Sequence, residues 1–387
     1  MKNYDIIIVG GGAAGLAAAG QTVMAGRRTL VCDMGDVPAR KVRVSGGGRC
    51  NFTNLAAGRD RYFGENPDFV RSALNRVTPG DILDWAAKHH ITPVEKSPGQ
   101  YFCTDGAMAI IDALGADARG ADILTNAAAH DIEYRDDMFV VRTARGDFAA
   151  PRIIIATGGL SYANLGVSDF GYRMAKKFGH KIVPPRPALV SIVTNAFSAE
   201  LAGVSVPVRI QMGRATVTDS LLFTHNGIGG PAAYRASVYD FDHDMRIDFL
   251  PGVSAFEWLR NAKHTDGRRS ITTVLSQKLP ARFVKWLVPG DGRNLADWRD
   301  ADLRMVAERI NNFIIAPTNL TRGPMNTAEI VRGGVSTDQI SSKTMESKLR
   351  PGMFLAGEVI DIAGDLGGFN LHWAWASGRI AGQSAAQ

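Results

Sequence analysis

Four apolar residues, Ile6-Ile7-Ile8-Val9, run directly into Gly10-Gly11-Gly12-Ala13-Ala14-Gly15, and a helical stretch, Leu16–Ala25, follows. A run that is apolar at every position suits a strand buried on both faces of a parallel sheet. Gly26 stands where a helix of this kind is closed by a left-handed residue, and Arg28–Asp33 reads as the next strand. GxGxxG has its meaning in this strand–turn–helix setting. Gly10 permits the tight turn, Gly12 lets a pyrophosphate approach the backbone, and Gly15 allows helix and strand to pack closely. The first N–H groups of the helix then face the phosphates. Asp33 follows at the end of the second strand, where a carboxylate can hold a ribose hydroxyl.

Composition narrows the class further. The chain has 387 residues, 45% hydrophobic and 21% charged, enough for two or three domains with a sizeable core and unlike a disordered chain. Cys32, Cys50 and Cys103 form neither a disulfide framework nor a CxxC metal pair. No HxxxH pair occurs, so no metal is expected. The net charge is +6, but its longest cluster is Arg40, Lys41 and Arg43, with Arg49 nearby. That reads as a mildly basic solvated surface, and a small-molecule substrate is expected before a nucleic acid. The opening apolar stretch is too short for a signal peptide or a membrane span, so the expectation is a cytoplasmic enzyme.

Along the chain, residues 38–54 hold three consecutive glycines that interrupt any helix. Thr78 and Pro79 fit the N-cap and first position of a helix over 79–90. A second helix is expected over 107–119, a strand meander over 121–150, another buried strand at 153–155 and a helix over 169–178. From about Val190 the pattern changes to alternating antiparallel strands, with helices near 254–262, 270–278 and 300–312 and strands near 313–316 and 328–332. A strand at 353–356 and an apolar helix at 371–382 close the chain.

The stretches VSGGGRCNFTN, ATGGLSYANLG, LLFTHNGIGGPA and TMESKLRPGMFLAGEVIDIAGDLGGFN resemble the BaiN/YhiN-type NAD(P)/FAD-dependent oxidoreductases, over nearly the whole chain. The resemblance implies an α/β fold: a Rossmann-like FAD-binding domain, residues 1–190 plus 345–387, split by a β-rich insert with a small helical subdomain, residues 191–344, that caps the flavin. It also implies noncovalent FAD, with NAD(P)H as a transient co-substrate, since only one GxGxxG is present. By resemblance, Gly10, Gly12 and Gly15 cradle the pyrophosphate, with Ala13 and Ala14 beside them. Asp33, where such proteins more often carry Glu, holds the ribose next to Met34. The cofactor set extends to Lys41, to Ser45, Gly47, Arg49, Cys50 and Asn51 in the SGGGRCN loop, and to Thr157 and Gly158 in the ATG segment. Gly357 and Glu358 face the ribityl and pyrophosphate region, and Gly367, Gly368, Phe369 and Asn370 lie against the isoalloxazine.

Catalytic candidates are Arg49, as an anion-binding group beside the flavin, Cys50, as a redox thiol, and His225, as a general acid or substrate contact. Against these stand plainer readings: buried thiols usually pack as small hydrophobes, and His225 could be a satisfied core residue. The reaction expected is hydride transfer from NAD(P)H through flavin to an activated C=C or C=O. An RNA-modifying flavoprotein and a non-enzymatic flavin redox sensor are the alternatives.

Overall fold

The computed structural model describes residues 2–290 and 292–387. Two compact units are present. One comprises the described residues up to Pro187 together with Met325–Gln387, and the other is Ala188–Pro324.

In the first unit the apolar runs form one parallel sheet in the order Met353–Leu355, Arg152–Ile155, Ile6–Val9, Thr29–Cys32, Asp122–Leu124. Ile6, Ile7 and Ile8 have no exposed surface, as their uninterrupted apolar pattern requires. From Ile6–Val9 the chain builds outward to Thr29–Cys32 and Asp122–Leu124, then returns as Arg152–Ile155 on the other side of Ile6–Val9. The carboxyl ends of Ile6–Val9 and Arg152–Ile155 therefore border a topological switch point, the usual ligand crevice of such a sheet. Helix Ala13–Met24 follows the first strand, and Gly26 closes it at φ +72°. Helix Phe369–Ala385 lies against it so closely that a Cβ on Gly378 would stand 2.3 Å from the Ala14 carbonyl oxygen, and one on Gly382 would stand 2.4 Å from that of Ala18.

The local signals hold where they were strongest. Thr78 and Asp81 form a reciprocal capping box at the head of Pro79–Lys88. The meander appears as Ala129–Arg135, Met138–Thr143 and Gly146–Ala150. Residues 40–48 differ from the expected loop. Arg40 opens a short helical turn, which the non-helical Ser45, Gly46 and Gly47 then break.

The second unit is built on an antiparallel sheet in the order Phe313–Ile315, Met245–Asp248, Ser205–Met212, Ala215–Thr224, Gly227–Gly229, Ile192–Val193, Thr321–Arg322. Ser205–Met212 alternates exposed and buried at every residue, the pattern of a sheet wet on one face. Its core is aromatic: Phe249 and Phe283 lie 4.7 Å apart between ring centroids, and Phe197 and Phe223 4.9 Å. Helices Ala255–Thr265, Ile271–Leu275, Ala281–Leu287 and Asp300–Asn311 complete it.

Both boundaries differ from the expectation, the first only slightly, at Pro187/Ala188 in place of the expected 190/191. The return to the first unit falls at Pro324/Met325, before the expected 344/345. The strand expected near 328–332 is Ile330–Val335, which pairs with Ile182–Ala188. Its Val331 N–H donates to Glu358, and a Cβ on Gly334 would stand 2.6 Å from the Val359 carbonyl oxygen, so this strand packs with the first unit.

Candidate functional site

The glycine turn sits on the switch point. Gly10, at φ +106°, donates its N–H to the Cys32 carbonyl, and Ala156 donates to Val9. A Cβ on Gly10 would lie 2.4 Å from the Ala156 carbonyl oxygen, and one on Gly15 would lie 1.8 Å from that of Gly10. These two glycines are demanded by backbone packed against backbone. Gly12 is different: a Cβ there would meet nothing within 4 Å, so the chain itself gives no reason for a glycine. Thr157 has a buried hydroxyl oxygen with no partner among the described residues, and it faces Gly171, where a Cβ would stand 2.1 Å from it. An open cradle at a helix N-terminus fits the pyrophosphate of a dinucleotide.

Asp33 is more occupied than a ribose ligand need be. One carboxylate oxygen accepts from the Gly11 N–H and the other from the Gly35 N–H, both at 2.7 Å. It braces the glycine turn first. A carboxylate has about four acceptor sites, so capacity for a sugar hydroxyl remains.

Glu358 is the hub of the site. It accepts from Lys41 Nζ at 2.6 Å, from the Val331 N–H at 2.8 Å and from the Gly159 N–H at 3.2 Å. Lys41 also donates to Ser161 Oγ at 2.8 Å. Four chain segments thus meet at one ion pair, beside Gly158 and Gly159. Gly357 is held from the last helix, donating to Ser377 Oγ at 2.9 Å and accepting from Trp373 Nε1 at 3.2 Å. Sequence reasoning misses Ser161, because a serine at that position of the ATGGLSYANLG stretch carries no local signal of this role.

Two distant motifs also meet. Strand Asn51–Asn54 presses on the turn before helix Phe369–Ala385: Asn54 Nδ2 donates to the Gly367 carbonyl at 2.7 Å, and a Cβ on Gly368 would stand 2.7 Å from Asn51 Oδ1. Gly367 and Gly368 both have positive φ. Asn370 clamps this turn, accepting from the Gly364 N–H at 2.7 Å and donating to its carbonyl at 3.0 Å. Phe369 is buried edge-on against Tyr62, so its ring belongs to the core. Ala14 is buried against Gly357 and Ala13 is partly buried, while Met34 and Gly47 are exposed. Ser45 Oγ donates to the Val42 carbonyl at 2.7 Å.

The three catalytic candidates fare differently. Arg49 is exposed at the end of the Gly46–Gly48 turn, with its carbonyl accepting from the Cys103 N–H at 2.8 Å. Cys50 has no exposed surface, and burial pushes its thiol up to about 12, with the neighbouring Cys103 adding to the rise. At neutral pH it is a protonated core residue, which argues against a redox thiol. The two cysteines, with no CxxC spacing to announce them, are neighbours because strand Gln100–Cys103 brings Cys103 beside Cys50. His225 is exposed in the turn between Ala215–Thr224 and Gly227–Gly229, which overturns its reading as a core residue. His372, by contrast, is fully buried between Thr53 Oγ1 (2.9 Å) and the Val77 carbonyl (3.1 Å), and burial lowers it to about 4, so it is neutral and structural. Arg322 donates to the Ser237 and Tyr239 carbonyls and ties its own unit together. Among the described residues no cluster of metal-ligating side chains occurs, and no helix is long and apolar enough to cross a membrane.

Residues 4–384 match the family model of the HI0933-like protein Rossmann domain. The chain belongs to this family. It is 38% identical to the ribosomal RNA dihydrouridine synthase of Haemophilus influenzae over 97% of each chain. It is 36% identical to the protein of the same name from Escherichia coli, over 99% of this chain and 98% of that one. A 3-dehydro-bile acid delta(4,6)-reductase of Clostridium scindens is 28% identical over 98% of each. Among solved structures, an open flavocytochrome c3 fumarate reductase matches all of this chain and 78% of its own, with a TM-score of 0.51 and 18% identity. The fold is thus the Rossmann-like, FAD-binding architecture of flavin oxidoreductases, and the BaiN/YhiN resemblance stands. By family the protein is an enzyme of that class.

Proposed function

We propose that this HI0933-like protein binds FAD noncovalently at the Gly10–Gly15 turn and reduces a carbon–carbon double bond conjugated to a carbonyl, with uridine in ribosomal RNA as the acceptor. The observation that carries the acceptor is the end-to-end similarity to two ribosomal RNA dihydrouridine synthases at 38% and 36% identity. The net charge of +6 suits a polyanionic partner. A bile-acid enone reductase, the second reading, is supported by the more distant relative at 28%. Both substrates present the same chemistry: a hydride adds to the carbon β to the carbonyl and a proton to the α-carbon. NAD(P)H, visiting transiently, is the proposed reductant.

Bound FAD supplies reversible two-electron hydride transfer. The chain does the rest. Gly12 gives the pyrophosphate room, and the first N–H groups of helix Ala13–Met24 orient it. Glu358 keeps Lys41 in place, so that a positive charge stands beside the Gly158–Gly159 segment. The Gly367–Gly368 turn offers the N-terminus of the last helix, whose dipole favours negative charge developing nearby.

The test is anaerobic. The purified holoprotein is reduced with NADH or NADPH, then offered protein-free ribosomal RNA or a steroid dienone. The expected outcome is reoxidation by the RNA, with a gain of two hydrogens in one uridine by mass spectrometry. Reoxidation by the dienone alone would replace the RNA reading with the steroid one.

A further inference from the structure

Ion pairs hold some of the exposed cations, among them Arg71 with Asp68, Arg173 with Asp169 and Lys181 with Glu65. Two stretches carry five basic residues and no acidic one: residues 37–59 in the first unit and 267–290 in the second. Between Asp266 and Asp291 the sequence holds Arg268, Arg269, Lys278, Arg282 and Lys285 and no Asp or Glu. Arg269 pairs with Asp266 at 3.6 Å. Arg268, Lys278, Arg282 and Lys285 are exposed and have no ion pair among the described residues.

The local fold collects three of them. Helix Ala281–Leu287 buries Phe283, Val284 and Leu287, which leaves Arg282 and Lys285, three positions apart, as neighbours on its surface. Lys278 lies just before this helix, with its ammonium 5.7 Å from the ring centroid of the half-buried Trp258. Arg282 reaches the Glu200 carbonyl at 3.3 Å. Like charges held together without counter-charges repel one another, and a polyanion relieves that repulsion. A basic strip beside an indole face is also what single-stranded RNA uses for phosphate contact and base stacking.

We infer that Lys278, Arg282 and Lys285, with Trp258, form a phosphate-binding strip through which the second unit holds the RNA. This rests on the RNA reading above and assigns part of the binding to residues far in sequence from every flavin motif. Arg282 also supports its own unit, so the two lysines are the ones to change.

The experiment uses the holoprotein and protein-free ribosomal RNA. K278E/K285E is expected to weaken RNA binding by about tenfold or more at roughly 0.1 M salt, and to flatten the slope of log affinity against log salt by about 0.7 for each lost contact. Flavin content, flavin reduction by NADPH and the thermal melt should stay as in the wild type. K278Q/K285Q, which removes charge without reversing it, should move affinity and slope in the same direction by less. If the wild type binds RNA and both variants match its affinity and slope, the strip is wrong and the RNA reading survives. If the wild type binds no RNA, both fall. If polyglutamate at equal charge concentration displaces the RNA, the strip is a site for acidic protein, and the inference is overturned.

Discussion

Two glycine-rich turns in the first unit share a composition and differ in physics. At residues 10–15, glycine answers a lack of space: a Cβ on Gly15 would stand 1.8 Å from a backbone oxygen. At residues 46–48, φ values of +57°, +66° and +80° demand left-handed backbone, while a Cβ on Gly47 or Gly48 would meet nothing within 4 Å. The first turn is closed by packing at Gly10 and Gly15; the second is held by conformation and open at Gly47 and Gly48, while a Cβ on Gly46 would stand 2.8 Å from the Asn51 backbone nitrogen. Gly12 belongs to neither case. Its φ of −79° and ψ of −167° suit any residue, and the space beside it is empty. A glycine needed neither for room within the chain nor for its dihedrals is best explained by something that approaches from outside.

Substitutions separate these cases. Gly15→Ala should have the largest effect. Its methyl meets backbone that cannot swing away, and the overpacking should cost about 3 kcal/mol or more, read as a large fall in the denaturation midpoint. A midpoint near that of the wild type would show that the turn can open, and the contrast between the two turns would be lost.

Gly12→Ala comes next, through binding alone. The folded chain should keep its stability within about 0.5 kcal/mol, while FAD affinity falls by about two orders of magnitude because the methyl occupies the approach to the pyrophosphate. Full flavin retention in that variant would remove the cradle from this turn.

Glu358→Ala tests the link between the turns, since Lys41 precedes the second and Gly357, next to Glu358, packs on Ala14 of the first. Losing these charge-assisted hydrogen bonds should cost about 1.5–3 kcal/mol, roughly tenfold or more in FAD affinity. Unchanged affinity in the folded variant would make the ion pair a purely structural tie.

Gly47→Ala should have the smallest effect, about 1–2 kcal/mol of stability from left-handed strain with no steric clash. A loss as large as that of Gly15→Ala would mean that the second turn is closed after all.

What could be read from the sequence was what neighbouring residues decide among themselves. Ile6–Val9 is apolar at every position because it is buried on both faces, and the next six residues announce the turn. Thr78 and Pro79 spell a helix start, and Gly26 a helix end. Alternation in Ser205–Met212 reports one wet face. These signals are short-range, since backbone dihedrals, caps and side-chain periodicity are set over a few residues. The tertiary structure decided which segments meet. Lys41 and Glu358 are 317 positions apart, and neither residue type carries a mark of its partner. Cys103 beside Cys50, Gly378 against Ala14, and Ile330–Val335 packing with the first unit are likewise contacts that only the assembled fold creates. Burial, too, is a property of the assembled fold, and it turned Cys50 from a candidate thiolate into a protonated core residue and left His225 exposed in a turn.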